Sequence, residues 1–176
     1  RLILRDWREE DWAPFWEGTN TTNVMRWLGG VADEQTRRNA QARLISYNEN
    51  FGHTFWCVER KADGAILGFC GLKRCTDESG PFGMVEAGWR LREDAWGRGY
   101  AKEAAIASLD LAFGQFGADE VIALTVEANK DSWGLMRRLG MARRPEFDFD
   151  ETMWSQDYGK VIVHAITRGQ WIAQNA

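Results

Sequence analysis

Cysteine is scarce in this chain and poorly spaced for a framework. Cys57, Cys70 and Cys75 are the only three among 176 residues. The count is odd and contains no C-x-x-C pair, so neither a disulfide scaffold nor a cysteine zinc site is indicated. Histidine is scarcer, with His53 and His164 alone, which limits imidazole-based metal or triad chemistry. No metal is expected. There is no run of about 18 apolar residues, so no helical membrane span is expected. An excess of positive charge is also absent: 22 Lys and Arg against 26 Asp and Glu give a net charge of −4. That balance argues against a nucleic-acid binder working by phosphate neutralisation, and its sign suits a cationic or amine-bearing partner. Two phosphate-binding signatures are missing too. No G-x-x-x-x-G-K-[ST] occurs, and Lys102 stands where the third glycine of G-x-G-x-x-G would fall, which disfavours a P-loop ATPase and a dinucleotide-binding oxidoreductase.

What is present describes one globular domain over residues 1–176. The composition is 44% hydrophobic and 27% charged, enough for a single core and unlike a disordered chain. Cys57 and Cys70 sit in apolar runs and are expected to be buried, reduced thiols. The chain begins at Arg1 rather than Met, so a few leading residues are expected to precede it, and the cytoplasm is the expected location. Trp is frequent at 10 residues, and Trp7, Trp12, Trp16 and Trp27 crowd the front. Core packing is the first reading of these, with a substrate groove or dimer contact as the alternative.

Taken in order, residues 2–5 read as a strand. Residues 8–17 carry Trp12, Phe15 and Trp16 at helical spacing, and a polar break follows at 18–22. A short helical piece is expected over 24–28. Asp33 is placed to cap a helix running to about residue 50, with Ala40, Leu44, Tyr47 and Phe51 on one face. Residues 54–60 and 65–72 then read as a hairpin around Asp63-Gly64. After a polar loop at 76–81 comes a strand over 84–91. The helix formers of 102–113 follow, with Ala105, Leu109, Ala112 and Phe113 on one face. Residues 121–126 are a continuous apolar strand, 131–139 a helix stopped by Gly140, 147–154 an irregular acidic segment, and 160–167 a last strand. A mixed α/β (α+β) sheet, mostly antiparallel with helices on both sides, satisfies this pattern.

Everything turns on W-G-R-G-Y-A at 96–101, between the strand and the helix. Gly97 and Gly99 permit a tight turn and bare main-chain amides. Those amides open a helix, where donors lack internal partners and the dipole is positive, so a phosphate or pyrophosphate fits. The competing reading is a turn and nothing more.

The residues here resemble a known family. E-A-G-W-R-L-R-E-D-A-W-G-R-G-Y-A-K-E-A is similar to the acetyl-coenzyme A segment of the GNAT N-acetyltransferases, more narrowly the RimJ/RimL-type branch. The consensus Q/R-x-x-G-x-G/A falls on Trp96, Gly97, Arg98, Gly99, Tyr100 and Ala101, with Trp96 departing from Gln or Arg. A second family pattern falls on Asn129, Ser132, Met136, Gly140 and Met141.

The resemblance implies acetyl-CoA as cosubstrate. Its pyrophosphate would lie on the amides of Arg98 to Ala101, and its pantetheine along the strand ending at Leu91, in a slot where that strand and the one ending near Val126 splay apart. A main-chain N–H in the stretch Trp89, Arg90, Leu91 would polarise the thioester carbonyl. Glu86 would be the general base, unless it merely pairs with Arg90 or another cation across the sheet. Many relatives place a Tyr acid where Met136 stands. Ser132 is therefore the candidate to protonate the sulfur, and Asn129 either contacts the pantetheine or caps its helix. The acceptor implied is a primary amine, either a protein N-terminus such as a ribosomal protein's or a small molecule. It would be bordered by Trp12, Trp16, Met25 and Trp27 and by acidic Asp148, Asp150 and Glu151, a rim favouring cations. A homodimer is the family habit. The alternative is a non-catalytic acyl-CoA sensor, motivated by Met136.

Overall fold

The computed structural model describes residues 1–75, 81–150 and 158–175. Most of the expected polar loop at 76–81, and residues 151–154 of the acidic segment, lie outside these. The elements run β1 (Leu2–Arg5), α1 (Trp12–Thr19), α2 (Thr22–Met25), α3 (Glu34–Phe51), β2 (Phe55–Arg60), β3 (Ile66–Arg74), β4 (Val85–Leu91), α4 (Tyr100–Phe113), β5 (Glu120–Val126), α5 (Lys130–Arg138), β6 (Ala142–Arg143), β7 (Val161–Thr167) and α6 (Arg168–Gln174). The strands form a seven-stranded sheet in the order β1-β2-β3-β4-β5-β7-β6. Every neighbouring pair is antiparallel except β4 with β5. A parallel pair needs a crossover, and α4 supplies it.

Local chemistry explains the ends of these elements. The Asp33 side chain accepts from the Thr36 N–H at 2.8 Å, capping α3, and Gly52 closes that helix in the left-handed region at φ 70°. Gly68 on β3 has φ +145°, and a Cβ there would lie 2.0 Å from the Arg90 carbonyl oxygen, so only glycine lets β3 lie this close to the end of β4.

Two apolar layers sandwich the sheet. On one side α4 sets Ala104, Ala105, Leu109 and Ala112 against Val85, Ala87, Leu91, Val121 and Ile166. A fully buried leucine such as Leu109 contributes roughly 2–3 kcal/mol there. On the other side Trp12, Phe15 and Trp16 of α1 join Leu44, Cys57 and Ile66. Trp12 and Trp16 are thus core residues, the first of the two readings. The third cluster holds Cys75, Ile122, Val163 and Ala165 beneath Phe147 and Phe149.

Three expectations are adjusted. The break at 18–22 is shorter than read, since α1 reaches Thr19. Helix α3 buries only Leu44, and Phe51 of its expected apolar face is 44% exposed. Elements β6 and α6 stand outside the expected set. Helix α6 is held by a Thr167–Gln170 capping box, and its Trp171 donates to Asp110 on α4 at 2.9 Å. Among the described residues no helix is long and apolar enough to cross a membrane.

All three thiols are buried. Burial pushes Cys57 and Cys70 up to about 12, and Cys75 is raised as well. The native protein should therefore show no fast-reacting thiol toward a disulfide reagent at pH 8, and three after denaturation. A rapid native reaction would contradict this burial.

Candidate active site

The register of β3 and β4 decides which main-chain groups of β4 are free. Arg92 N–H bonds Leu67 O at 2.8 Å, and Cys75 N–H bonds Met84 O at 2.9 Å. With Gly68 opposite Leu91 and Lys73 opposite Glu86, the alternation of an antiparallel pair turns the even residues of β4 toward β3. The N–H and C=O of Trp89 and Leu91 point the other way, toward β5. Yet the β4–β5 ladder contains only Val85↔Val121 and Glu86↔Ile122. Beyond Glu86 the two strands part, while β5 stays paired with β7 as far as Val126. A slot opens there, edged by the N–H groups of Trp89 and Leu91 without strand partners. The Leu91 carbonyl is taken by the Trp96 indole N–H at 2.8 Å.

The glycine turn sits at the mouth of this slot. Gly97 and Gly99 have φ 69° and 79°, and residues 96–99 are exposed. Gly99 is the N-cap of α4, and the first helical N–H with a partner is that of Glu103, bonded to Gly99 O at 3.1 Å. The amides of Tyr100, Ala101 and Lys102 therefore stand without intrahelical acceptors at the positive end of a 14-residue helix. The Arg98 Nε donates to the Asp94 carbonyl at 2.9 Å and tightens the turn. These donors fit a pyrophosphate, and the slot fits an extended amide-bearing arm. A helix N-terminus of this kind is an anion site.

Across the slot, α5 begins at Asn129. Its Oδ1 accepts from the Ser132 N–H at 3.4 Å, while its Nδ2 donates to Thr125 Oγ1 at 3.0 Å. Asn129 thus caps the helix, one of the two roles considered for it. The Ser132 hydroxyl makes no hydrogen bond to any described residue, so it is not consumed in capping. Met136 is buried, 1% exposed.

Glu86 lies at the last paired position, where the strands begin to part, and is 6% exposed. Lys73 faces it at 3.1 Å and the Cys75 sulfur at 3.5 Å. The pairing cation is therefore Lys73 across the sheet. Burial pushes the Glu86 carboxyl above its ordinary value, with Lys73 opposing. Burial pulls the Lys73 ammonium down, but Glu86, Tyr47 and Cys75 together override it and the net shift is upward. Trp89 is three residues along the strand, about 10 Å away.

Arg90 shares the Glu86 face of β4 but is walled off from it. Gly88 lies between them, and a Cβ there would come within 2.5 Å of the Phe55 ring, which fills that space. The Arg90 guanidinium rests instead on Phe15, Trp16 and Phe69, at 4.8, 5.0 and 5.0 Å from the ring centres. Of the three residues of the expected acidic rim, Asp150 is exposed. Asp148 is paired with Arg143 and accepts the Val163 N–H at 3.1 Å, so its charge is already compensated. Glu151 lies outside the described residues.

Comparison with known proteins gives the family and the fold. Residues 1–142 match the acetyltransferase (GNAT) domain model. The chain is 30% identical over 146 residues to the Bacillus subtilis protein YkkB, covering 80% of this chain and 81% of that one. It is 28% identical over 148 residues to the B. subtilis N-acetyltransferase YnaD, covering 84% and 82%. A Bacillus anthracis GNAT acetyltransferase structure superposes with TM-score 0.76 at 24% identity, covering 96% of each chain. The fold is also that of Vibrio cholerae spermidine N-acetyltransferase, solved with CoA and spermine, with TM-score 0.72 at 16% identity over 97% and 98%. Vibrio fischeri ribosomal-protein-S5-alanine acetyltransferase gives TM-score 0.74 at 16% identity over 97% and 93%. The chain belongs to the GNAT acetyltransferase family, and its fold is the GNAT fold. By family it is an acetyl-CoA-dependent N-acetyltransferase.

Proposed function

We propose that residues 1–176 act as one acetyltransferase domain of RimJ/RimL type, moving an acetyl group from acetyl-CoA to a primary amine by direct attack in a ternary complex. The observation that carries this is the β4–β5 slot, with the unpaired N–H groups of Trp89 and Leu91 opening onto the exposed turn at Gly97 and Gly99. The pyrophosphate binds the amides from Arg98 to Ala101, and the pantetheine runs along the stretch ending Trp89, Arg90, Leu91 beside Trp96. The N–H of Trp89 or of Leu91 receives the thioester carbonyl and stabilises the charge that grows on its oxygen, since that of Arg90 faces β3.

The amine attacks only when neutral. Glu86 takes the proton through water in the slot, because the 10 Å or so of strand between it and Trp89 exceeds direct reach. The C–N bond forms, the C–S bond breaks, and the departing thiolate takes a proton from the Ser132 hydroxyl, which has no other described partner. Asn129 fixes the helix that carries Ser132. The nitrogen sheds its second proton as the C–S bond breaks, and that proton, passed through water, restores Ser132. The first leaves Glu86 to solvent, so the ammonium form gives the acetamide, free CoA and one proton.

The likeness leaves a protein N-terminal amine and a small-molecule amine both open as acceptors. A cytoplasmic location and a homodimer belong to the same proposal, tested by fractionation and sedimentation. The deciding experiment is calorimetry with acetyl-CoA, followed by thiol release across a panel of amines and N-terminal peptides. Binding with release for one acceptor class is the expected result. Binding without any release would favour the acyl-CoA sensor instead, and no binding would overturn the slot assignment.

A further inference from the structure

A guanidinium enclosed by aromatic rings has lost water and needs an anion in its place. Arg90 is in that position. Its Nε is buried without a hydrogen-bond partner, and among the described residues its side chain's one partner is the Met25 sulfur, 3.1 Å from Nη1. No described carboxylate pairs with it, although Arg5, Arg60, Arg92, Arg143, Arg144 and Arg168 each have one. The Trp16 indole N–H, whose ring lies 5.0 Å from the guanidinium carbon, is a second buried donor without a partner. Burial lowers the Arg90 pKa to about 10.

Its position is as telling as its isolation. Arg90 lies between the two residues whose free N–H groups edge the slot, and its side chain rises from the opposite face of the sheet to α4. That face is covered by α1 and by Met25 at the end of α2. A group bound by Arg90 would hold the rest of its molecule over the slot, on the side an acceptor must occupy.

Resting on the acyl-transfer reading above, we propose that Arg90 is the acceptor-recognition residue and that it binds a carboxylate: the amine acetylated carries an acid group a few bonds from its nitrogen, as an amino acid does. The flat guanidinium fork matches a planar carboxylate and offers it paired donors. One cation between apolar rings balances one negative charge, which disfavours a phosphate dianion. Specificity then comes from Arg90 and not from an acidic rim, whose Asp148 is already paired with Arg143.

The test uses matched acceptors: α-, β- and longer ω-amino acids, each with its carboxamide and its aminoalkylphosphonate. Thiol release is followed for the wild type, Arg90→Gln and Arg90→Lys. The wild type should favour one carboxylate over its carboxamide by 30-fold or more in kcat/KM, mostly through KM. Arg90→Gln should bring that ratio to near one, and Arg90→Lys should retain a small part of it. A wild type that treats acid and amide alike, one that prefers the phosphonate, or a variant that keeps the full preference would each overturn the proposal. Melting curves and acetyl-CoA calorimetry on the same samples report folding and the slot separately. If no amine is turned over at all, the acyl-transfer reading fails by itself. Quenching of tryptophan fluorescence by the amino acids with CoA present then decides the Arg90 site. Saturable quenching by a carboxylate, lost in Arg90→Gln, supports it, and its absence overturns it.

Discussion

Glu86→Gln should lower kcat by about 10²- to 10⁴-fold, the usual contribution of a positioned general base, and should remove the acidic limb of the pH profile. The sign follows from the surroundings of the carboxyl. Burial raises it above its ordinary value and Lys73 only partly opposes this, so wild-type activity should climb with pH through a midpoint above the ordinary carboxyl range, as Glu86 loses its proton. Lys73→Met takes away the stabilising ammonium at 3.1 Å and should move that midpoint to still higher pH without abolishing it. Breaking a buried pair in this way also costs about 3–5 kcal/mol of stability when the remaining charge is left unmatched. The carboxyl avoids part of that cost by staying protonated.

Stability carries the opposite pH dependence. A carboxyl raised by folding holds its proton in the native state where the unfolded chain has already lost it. The native state is therefore weakened as pH rises from the unfolded value toward the folded one. Glu86→Gln should flatten that slope. If Glu86 serves only as Lys73's partner across β3 and β4, the substitution would change melting behaviour and leave the activity limb where it was. A pH–rate profile of the three proteins, with acetyl-CoA affinity measured alongside, separates the two.

Much of the fold was legible because its signals are local. Asp33 caps α3 through its own side chain, the Asp63-Gly64 turn joins β2 to β3, and the glycines at 97 and 99 stand where the chain turns from β4 into α4. Helix α6 escaped because a seven-residue helix burying Trp171 alone shows too little periodicity. Strand β6 is two residues long and exists only through its partner β7. The candidate residues could be picked from the sequence, but their contacts could not. Period-two alternation correctly puts Glu86 and Arg90 on one face and so suggests a pairing. It could not reveal that Phe55, from another strand, fills the space over Gly88 between them. Lys73 became visible as the partner of Glu86 only once the β3–β4 register was known. The same limit hid that no carboxylate among the described residues faces Arg90, since a counter-charge is a property of the whole neighbourhood.

Gly99→Val is expected to weaken acetyl-CoA binding by about 10- to 100-fold. The cause is backbone strain and not crowding. Gly99 holds φ +79°, and the atom nearest to an added Cβ is the Arg1 guanidinium at 3.5 Å, an ordinary contact. A β-branched residue pays of order 1–3 kcal/mol to stay in the left-handed region, and each 1.4 kcal/mol is a factor of about ten in affinity. The chain can relieve that strain only by rotating the peptide planes that open α4, which turns the amides of Tyr100 and Ala101 away from the pyrophosphate they are assigned to hold. Gly64→Val supplies the control. It carries φ +70° with nothing within 4 Å, so the strain is similar, but it lies in the β2–β3 hairpin. Both variants should lose comparable stability in thermal melts, and only Gly99→Val should lose affinity by calorimetry. Equal affinities in the two would reduce the glycine turn to a connection between strand and helix. A selective loss at Gly99 would tie the start of α4 to the cosubstrate through its main-chain geometry, which a side-chain substitution elsewhere in the turn does not test.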